Sequence, residues 1–182
     1  KCRLHSPVPT VERATAHLLR YGDPRFMELI DSVAKLASPT GQWPEAIHPI
    51  TSGGCMGDGQ HGWAAAEWIM IMRQCFVREE EDRLVIGSGI FPRWLETQDE
   101  LAYGPTPTRW GDVSVRVIPR DSYYLVSIDP HWHCEPPAAS IEIPGCVPVE
   151  VTDFQQSVEV RPRRELNERE QQPESELTSD PT

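Results

Sequence analysis

The residues best suited to chemistry lie at 41–68, where a loop rich in acidic, imidazole and indole side chains leads into an apolar helix. This stretch is GQWPEAIHPITSGGCMGDGQHGWAAAEW. Indole rings stack on the apolar faces of sugar rings, and carboxylates act on a glycosidic oxygen or on water. Aromatic and acidic side chains at one rim therefore predict carbohydrate chemistry.

Glu45 is the predicted catalytic residue. It follows Trp43 and Pro44, so a carboxylate stands beside an indole in a segment whose backbone freedom is limited by proline. An ionised carboxylate held in this way can act as a general base that activates water for attack on an anomeric carbon. The alternative interpretation is an ordinary solvated glutamate in a loop.

Trp43, Asp58, His61 and Trp63 are the predicted substrate-binding residues. Asp58 and His61 can hydrogen-bond to sugar hydroxyls, and Trp63 can stack on a ring or form a wall of the pocket. The structural alternative is a capped helix entry with a core tryptophan nearby, because aspartate and glycine suit the start of a helix. Glu67, one turn after Trp63, is a candidate acid or the partner of a neighbouring polar group.

Two other motifs resemble ligand sites, and neither is assigned a role. Residues 57–62 read GDGQHG and match GxGxxG, but no hydrophobic strand precedes them and no βαβ unit follows. His131, His133 and Cys134 are spaced like metal ligands, but no fourth ligand is evident and prolines flank the segment. We therefore expect no metal and no cofactor.

Composition limits the classes of partner. The net charge is −11 and the isoelectric point about 4.9, which argues against nucleic acid or an anionic membrane surface as a partner. No apolar run reaches the roughly 18–20 residues that a membrane span needs. The five cysteines are odd in number and contain no CxxC, which favours reduced thiols and a cytosolic compartment.

Hydrophobic periodicity predicts three helices followed by strands. The loop between the second and third helices is long enough that we expect it to be ordered and functional. The predicted helices cover 8–20, 25–37 and 62–78, with a short helical turn at 92–95. The predicted strands cover 84–86, 113–117, 123–128, 139–143 and 147–151, with a hairpin turn at 119–122.

The helix at 62–78 is apolar on nearly every side. Between Trp63 and Val77 only Glu67, Arg73 and Gln74 are polar, so this helix should be covered from several directions. Two short helices and a few strands are too little to enclose it. Either the chain oligomerises, or further helices of a larger parent domain pack on this one; the latter agrees with a chain that begins at Lys1.

Two segments carry a family resemblance: GQWPE at 41–45 and GDGQHGWAAAEW at 57–68. They resemble the C-terminal end of six-hairpin (α/α)6-toroid glycosidases, the superfamily of glucoamylases, trehalases and amylo-alpha-1,6-glucosidases. PTRWGDVSV at 107–115 is similar to the opening of the small β-module that often follows that barrel. The resemblance covers roughly residues 20–150, and it implies that Glu45 is the general base of an inverting enzyme whose general acid lies upstream of this chain.

These observations and the resemblance together predict an α+β chain. Residues 1–98 would be the C-terminal helices of an (α/α)6 toroid, 99–160 a small antiparallel β-module and 161–182 a disordered tail. The predicted function is a fragment of an inverting glycoside hydrolase, inactive or weakly active alone, with a carbohydrate substrate and the remaining helices of the parent chain as partners. The alternatives are a non-catalytic carbohydrate-binding protein and a structural helical subunit.

Overall fold

A computed structural model describes residues 7–48, 50–56, 59–151 and 153–163, with side chains from residue 13 onward. Four helices and ten strands lie in these ranges. The helices are α1 (Pro7–Arg20), α2 (Arg25–Lys35), α3 (Gly62–Phe76) and α4 (Pro92–Glu96). The first five strands are β1 (Ala46–Ile47), β2 (Gly54–Met56), β3 (Val77–Glu80), β4 (Arg83–Ile86) and β5 (Leu101–Thr108). The other five are β6 (Gly111–Pro119), β7 (Tyr124–Trp132), β8 (Ala138–Ile141), β9 (Val149–Val151) and β10 (Val158–Val160).

The helices form where the sequence pattern predicts them. In α2, Phe26, Ile30 and Val33 recur at three- and four-residue spacing and are buried on one face. Asp23 accepts a hydrogen bond of 3.0 Å from the backbone N–H of Arg25 at the start of this helix. α1 contacts both α2 and α3, so the three long helices form one group.

One four-stranded sheet has the order β10-β7-β6-β5 and is antiparallel throughout. Its central hairpin, β6–β7, turns between Pro119 and Tyr124, close to the predicted turn. In β6 the side chains of Val113, Val115 and Val117 are buried, whereas those between them are more accessible. This alternation places one face of the strand on the core.

The second four-stranded sheet has the order β3-β4-β8-β9 and is mixed, because β4 and β8 run parallel. Leu84, Val85 and Ile86 in β4 are all buried, as expected for a central strand covered on both faces. Strands β1 to β4 all lie within the predicted helical segment 1–98. The strands predicted as one antiparallel module are divided between two sheets.

The predicted fold class and the predicted family fold are wrong, because both contained the helices of a toroid. The described residues contain no part of a helical toroid; they form an α+β arrangement of four helices and three sheets. The reason is visible at the end of α3, where Val77 leaves the helix directly into the β3–β4 hairpin. Strands therefore follow α3 where a toroid would continue with paired helices, and helix and sheet residues share one hydrophobic core.

The predicted tail lies mostly outside the described residues. Residues 164–182 are not among them. Residues 161–163 are described and lie beside the loop after β8: Pro162 bridges to Cys146, and Arg163 Nε donates to the Cys146 carbonyl at 2.9 Å.

α3 is buried on only one side. Ala64, Ile71 and Cys75 are buried there. The opposite side carries six exposed residues, which we call the α3 outer face: Gly62, Trp63, Ala65, Ala66, Ile69 and Met70. The sequence predicted that this helix is covered from several directions. Within the described residues, one face of it is exposed.

The accessibility of the thiols gives a test of this fold. Cys55 and Cys134 are exposed free thiols. Burial raises the pKa of the Cys75 thiol to about 12 and that of Cys146 to about 11. In a Cys2→Ser protein at pH 8, we expect two thiols to react with a thiol-specific disulfide reagent and two to react at least about 100-fold more slowly until denaturant is added, because only thiolates react. Four equally fast thiols would contradict the packing of α3.

Candidate functional site

The β1–β2 hairpin positions Glu45. Glu45 directly precedes β1, and its backbone N–H donates to the Met56 carbonyl at 3.1 Å. The backbone is also tied to the start of α3, because the N–H of His61 donates to the Trp43 carbonyl at 2.9 Å. Two backbone hydrogen bonds therefore hold the segment Trp43–Glu45 between the hairpin and the helix.

Glu45 and His61 are brought together at the N-terminal end of α3. The Glu45 Oε2 lies 3.7 Å from His61 Nε2, and their side chains are 35% and 27% exposed. The other ring nitrogen of His61, Nδ1, is buried with no hydrogen-bond partner among the described residues. The accessible edge of the imidazole therefore faces the carboxylate, while Nδ1 is closed to a ligand.

Trp63 completes this cluster. Its ring is 6.1 Å from the His61 ring, centroid to centroid, and the residue is 53% exposed. Its indole N–H donates to Glu67 Oε1 at 2.9 Å, one helical turn away. The hydrogen bond fixes the orientation of an indole whose ring is half open to solvent. We call Glu45, His61 and Trp63 the helix-entry cluster.

Trp43 lies on the inner side of the same loop. It is 4% exposed, its indole N–H donates to the Val33 carbonyl at 2.8 Å, and its ring is 5.0 Å from that of Trp68. These contacts join the loop to α2 and α3. Trp43 thus holds the loop in place, and its ring surface is occupied by protein.

Asp58, the remaining predicted binding residue, lies outside the described residues, as does Gly57 of the glycine-rich motif. Glu67 was predicted to be either a candidate acid or the partner of a neighbouring polar group. It has the second role here, because its carboxylate accepts the indole N–H of Trp63, four residues earlier on the helix.

A cavity of about 510 Å³ adjoins the same loop. Pro44 and Gly59, the chain neighbours of the cluster, line it together with Ser38 and Gln42. Glu45, His61 and Trp63 do not line it. The helix-entry cluster is therefore accessible at the surface but does not line this cavity.

The His131–Cys134 segment has a structural role in the described fold. His133 Nε2 lies 3.2 Å from the Arg109 carbonyl, and the thiol of Cys134 lies 3.7 Å from that of Trp110. These contacts tie the end of β7 to the turn between β5 and β6. Among the described residues, no three His, Cys, Asp or Glu side chains are grouped so that they could hold a metal ion.

Comparisons with known proteins give no match: no protein family, no curated protein and no solved structure is significantly similar to this chain. The resemblance to six-hairpin toroid glycosidases is therefore corrected on two grounds, the absence of any such match and the α+β architecture of the described residues. Within those residues, no helix has both the length and the apolar character needed to cross a bilayer.

Proposed function

We propose that the helix-entry cluster binds a carbohydrate and that Glu45 activates water for hydrolysis of a glycosidic bond with inversion. The observation that carries the proposal is the approach of the Glu45 carboxylate to His61, 3.7 Å apart, beside a half-exposed indole. A carboxylate and an imidazole can hydrogen-bond to sugar hydroxyls, and an aromatic ring at the same accessible edge can stack on a sugar ring.

Each group has a distinct role. The exposed face of Trp63, held by Glu67, covers the apolar C–H face of a pyranose ring. Glu45 accepts the proton of the attacking water. His61 orients the carboxylate through Nε2. The present 3.7 Å separation is longer than a hydrogen bond, and contacts of this kind tighten when substrate binds.

Inversion also requires a general acid on the opposite side of the sugar, about 6.5–9.5 Å from the base. Among the described residues, Glu67 also joins this cluster, but its Oε1 accepts the indole N–H of Trp63. We propose that the acid is not supplied by this chain, so the chain alone should bind sugar and hydrolyse ordinary glycosides poorly.

The second candidate function is carbohydrate binding without chemistry. It is favoured by the engagement of Glu67 with Trp63, because a carboxylate oxygen that accepts the indole N–H is not available to a substrate. Binding without turnover, even of an activated substrate, would favour this second function.

The compartment that we propose is the cytosol. All four cysteines among the described residues are free thiols, which is the usual state in a reducing compartment.

Binding is tested by calorimetric titration of the chain with a panel of oligosaccharides of defined linkage. We expect one class to bind, and Trp63→Ala to weaken it at least about 10-fold, because the variant loses the aromatic platform. Tyr21→Ala is the matched control, since Tyr21 is 72% exposed and lies at the end of α1. No binding to any member of the panel at millimolar concentration would overturn the proposal.

A further inference from the structure

We infer that the α3 outer face is the contact surface of a homodimer, in which α3 packs on α3 of a second copy of the chain. The inference does not rest on the proposed carbohydrate function. At about 100° per residue, the six residues of this face fall within an arc of about 160° on the helix. They include Ile69, 60% exposed, and Met70, 41% exposed, both too apolar to favour contact with water.

The charge of the face permits self-association. The chain carries a net charge of −11, which opposes the approach of two copies, but no charged residue belongs to the outer face. Glu67 borders the face and is hydrogen-bonded to Trp63. Arg73, near the end of α3, pairs with Glu79 at 2.9 Å. Two such faces can meet without burying a charged residue of the face, and an acidic or basic partner would find no countercharge on the face itself.

The exposed area is close to what one side of a dimer needs. From the exposed fractions of Trp63, Ile69 and Met70 together with the two alanines, the apolar area is on the order of 400 Å². One side of a standard interface buries about 800 Å², of which about 55–65% is non-polar. A surrounding polar rim would supply the remainder.

The arrangement of side-chain sizes is self-complementary. Ala66 lies midway along the face, with the large Trp63 before it and Met70 after it. A two-fold axis near Ala66 would bring Trp63 of one protomer against the partner subunit's Met70, and the reverse contact follows by symmetry. The small residues at the centre allow the two helices to approach closely.

The test is the mass of the full chain by sedimentation equilibrium at about 100 μM. We expect a species near twice the chain mass of 20.6 kDa. Ile69→Glu should raise the dissociation constant at least about 100-fold, because the dimer would bury an unpaired charge from each copy. Tyr21→Glu puts the same charge on another exposed apolar residue and should leave the dimer unchanged.

A mass of 20.6 kDa for the unchanged chain at this concentration would overturn the inference. So would a dimer that Ile69→Glu and Tyr21→Glu affect equally, since the contact would then lie elsewhere. Because Ile69 is exposed, its variant should fold, and circular dichroism checks this directly. Ile69 is outside the helix-entry cluster, so loss of the dimer with sugar binding retained separates this inference from the proposed function.

Discussion

Replacing Phe91 with alanine is expected to lower the free energy of unfolding by about 3–5 kcal/mol. Phe91 is 1% exposed, and its ring stacks on Trp94 with centroids 4.4 Å apart and meets the edge of Phe26 at 5.9 Å. The variant would leave a cavity between α2 and α4. Since small domains are stable by only about 5–15 kcal/mol, urea unfolding should show a large decrease in midpoint.

Two control variants distinguish the effect of the cavity at Phe91 from the effect of losing any aromatic ring. Phe91→Leu keeps most of the volume and should cost well under half as much. Phe154→Ala removes a half-buried ring at the periphery, packed edge-on against Trp132 at 5.2 Å, and should cost about 1–2 kcal/mol. Equal losses for Phe91→Ala and Phe154→Ala would mean that the region around α4 is less tightly packed than described.

The second large effect is expected at Glu45. Glu45→Gln should reduce hydrolysis of a glycosyl fluoride by at least about 100-fold, the usual contribution of an acid–base residue. A fluoride substrate suits this chain because fluoride leaves as an anion without being protonated, so no general acid is needed. Water attacks the anomeric carbon, its proton passes to Glu45, and the C–F bond breaks. The readout is fluoride release, with the sugar chosen from the binding panel.

Glu135→Gln is the control for this experiment, since Glu135 is an exposed glutamate in the loop after β7, far along the chain from the cluster. The same hydrolysis rate in Glu45→Gln and Glu135→Gln would remove Glu45 from the role of base. Loss of sugar binding in Glu45→Gln would instead assign the carboxylate to substrate binding, and calorimetric titration measures that separately.

The helices could be predicted because each carries its own periodic signal. Phe26, Ile30 and Val33 mark the buried side of α2 within eleven residues of sequence. The same reasoning was misleading for α3. Its apolar character predicted cover from several directions, either by oligomerisation or by further helices of a parent domain. Within the described residues, α1 and the core cover one side and the other is exposed.

Sheet partners were much less predictable. The β6–β7 hairpin was foreseen because its strands are adjacent in sequence and joined by a short turn. β4 pairs in parallel with β8, with Leu84 opposite Ala139, more than fifty residues later. Local patterns contain no information about such a pairing. The two- and three-residue strands β1 and β2 are also too short to show any alternation.

For the site, the sequence predicted which residue types would gather but not which way they would face. Glu45 and His61 do come together, because backbone hydrogen bonds join their segments across the hairpin and helix start. The two tryptophans on either side differ: Trp43 is 4% exposed and Trp63 is 53% exposed. Trp43 lies in the loop and Trp63 in the first turn of α3, and the sequence around each is polar and contains glycine. Tertiary packing is what distinguishes them.

The position of Trp63 has a consequence for both proposals. Its indole belongs to the helix-entry cluster and also to the α3 outer face, so a sugar and a second chain would compete for the same ring. By thermodynamic linkage, the factor by which bound sugar weakens dimerisation equals the factor by which dimerisation weakens sugar binding. Apparent saccharide affinity should therefore rise on dilution, which would make protein concentration a regulator of occupancy.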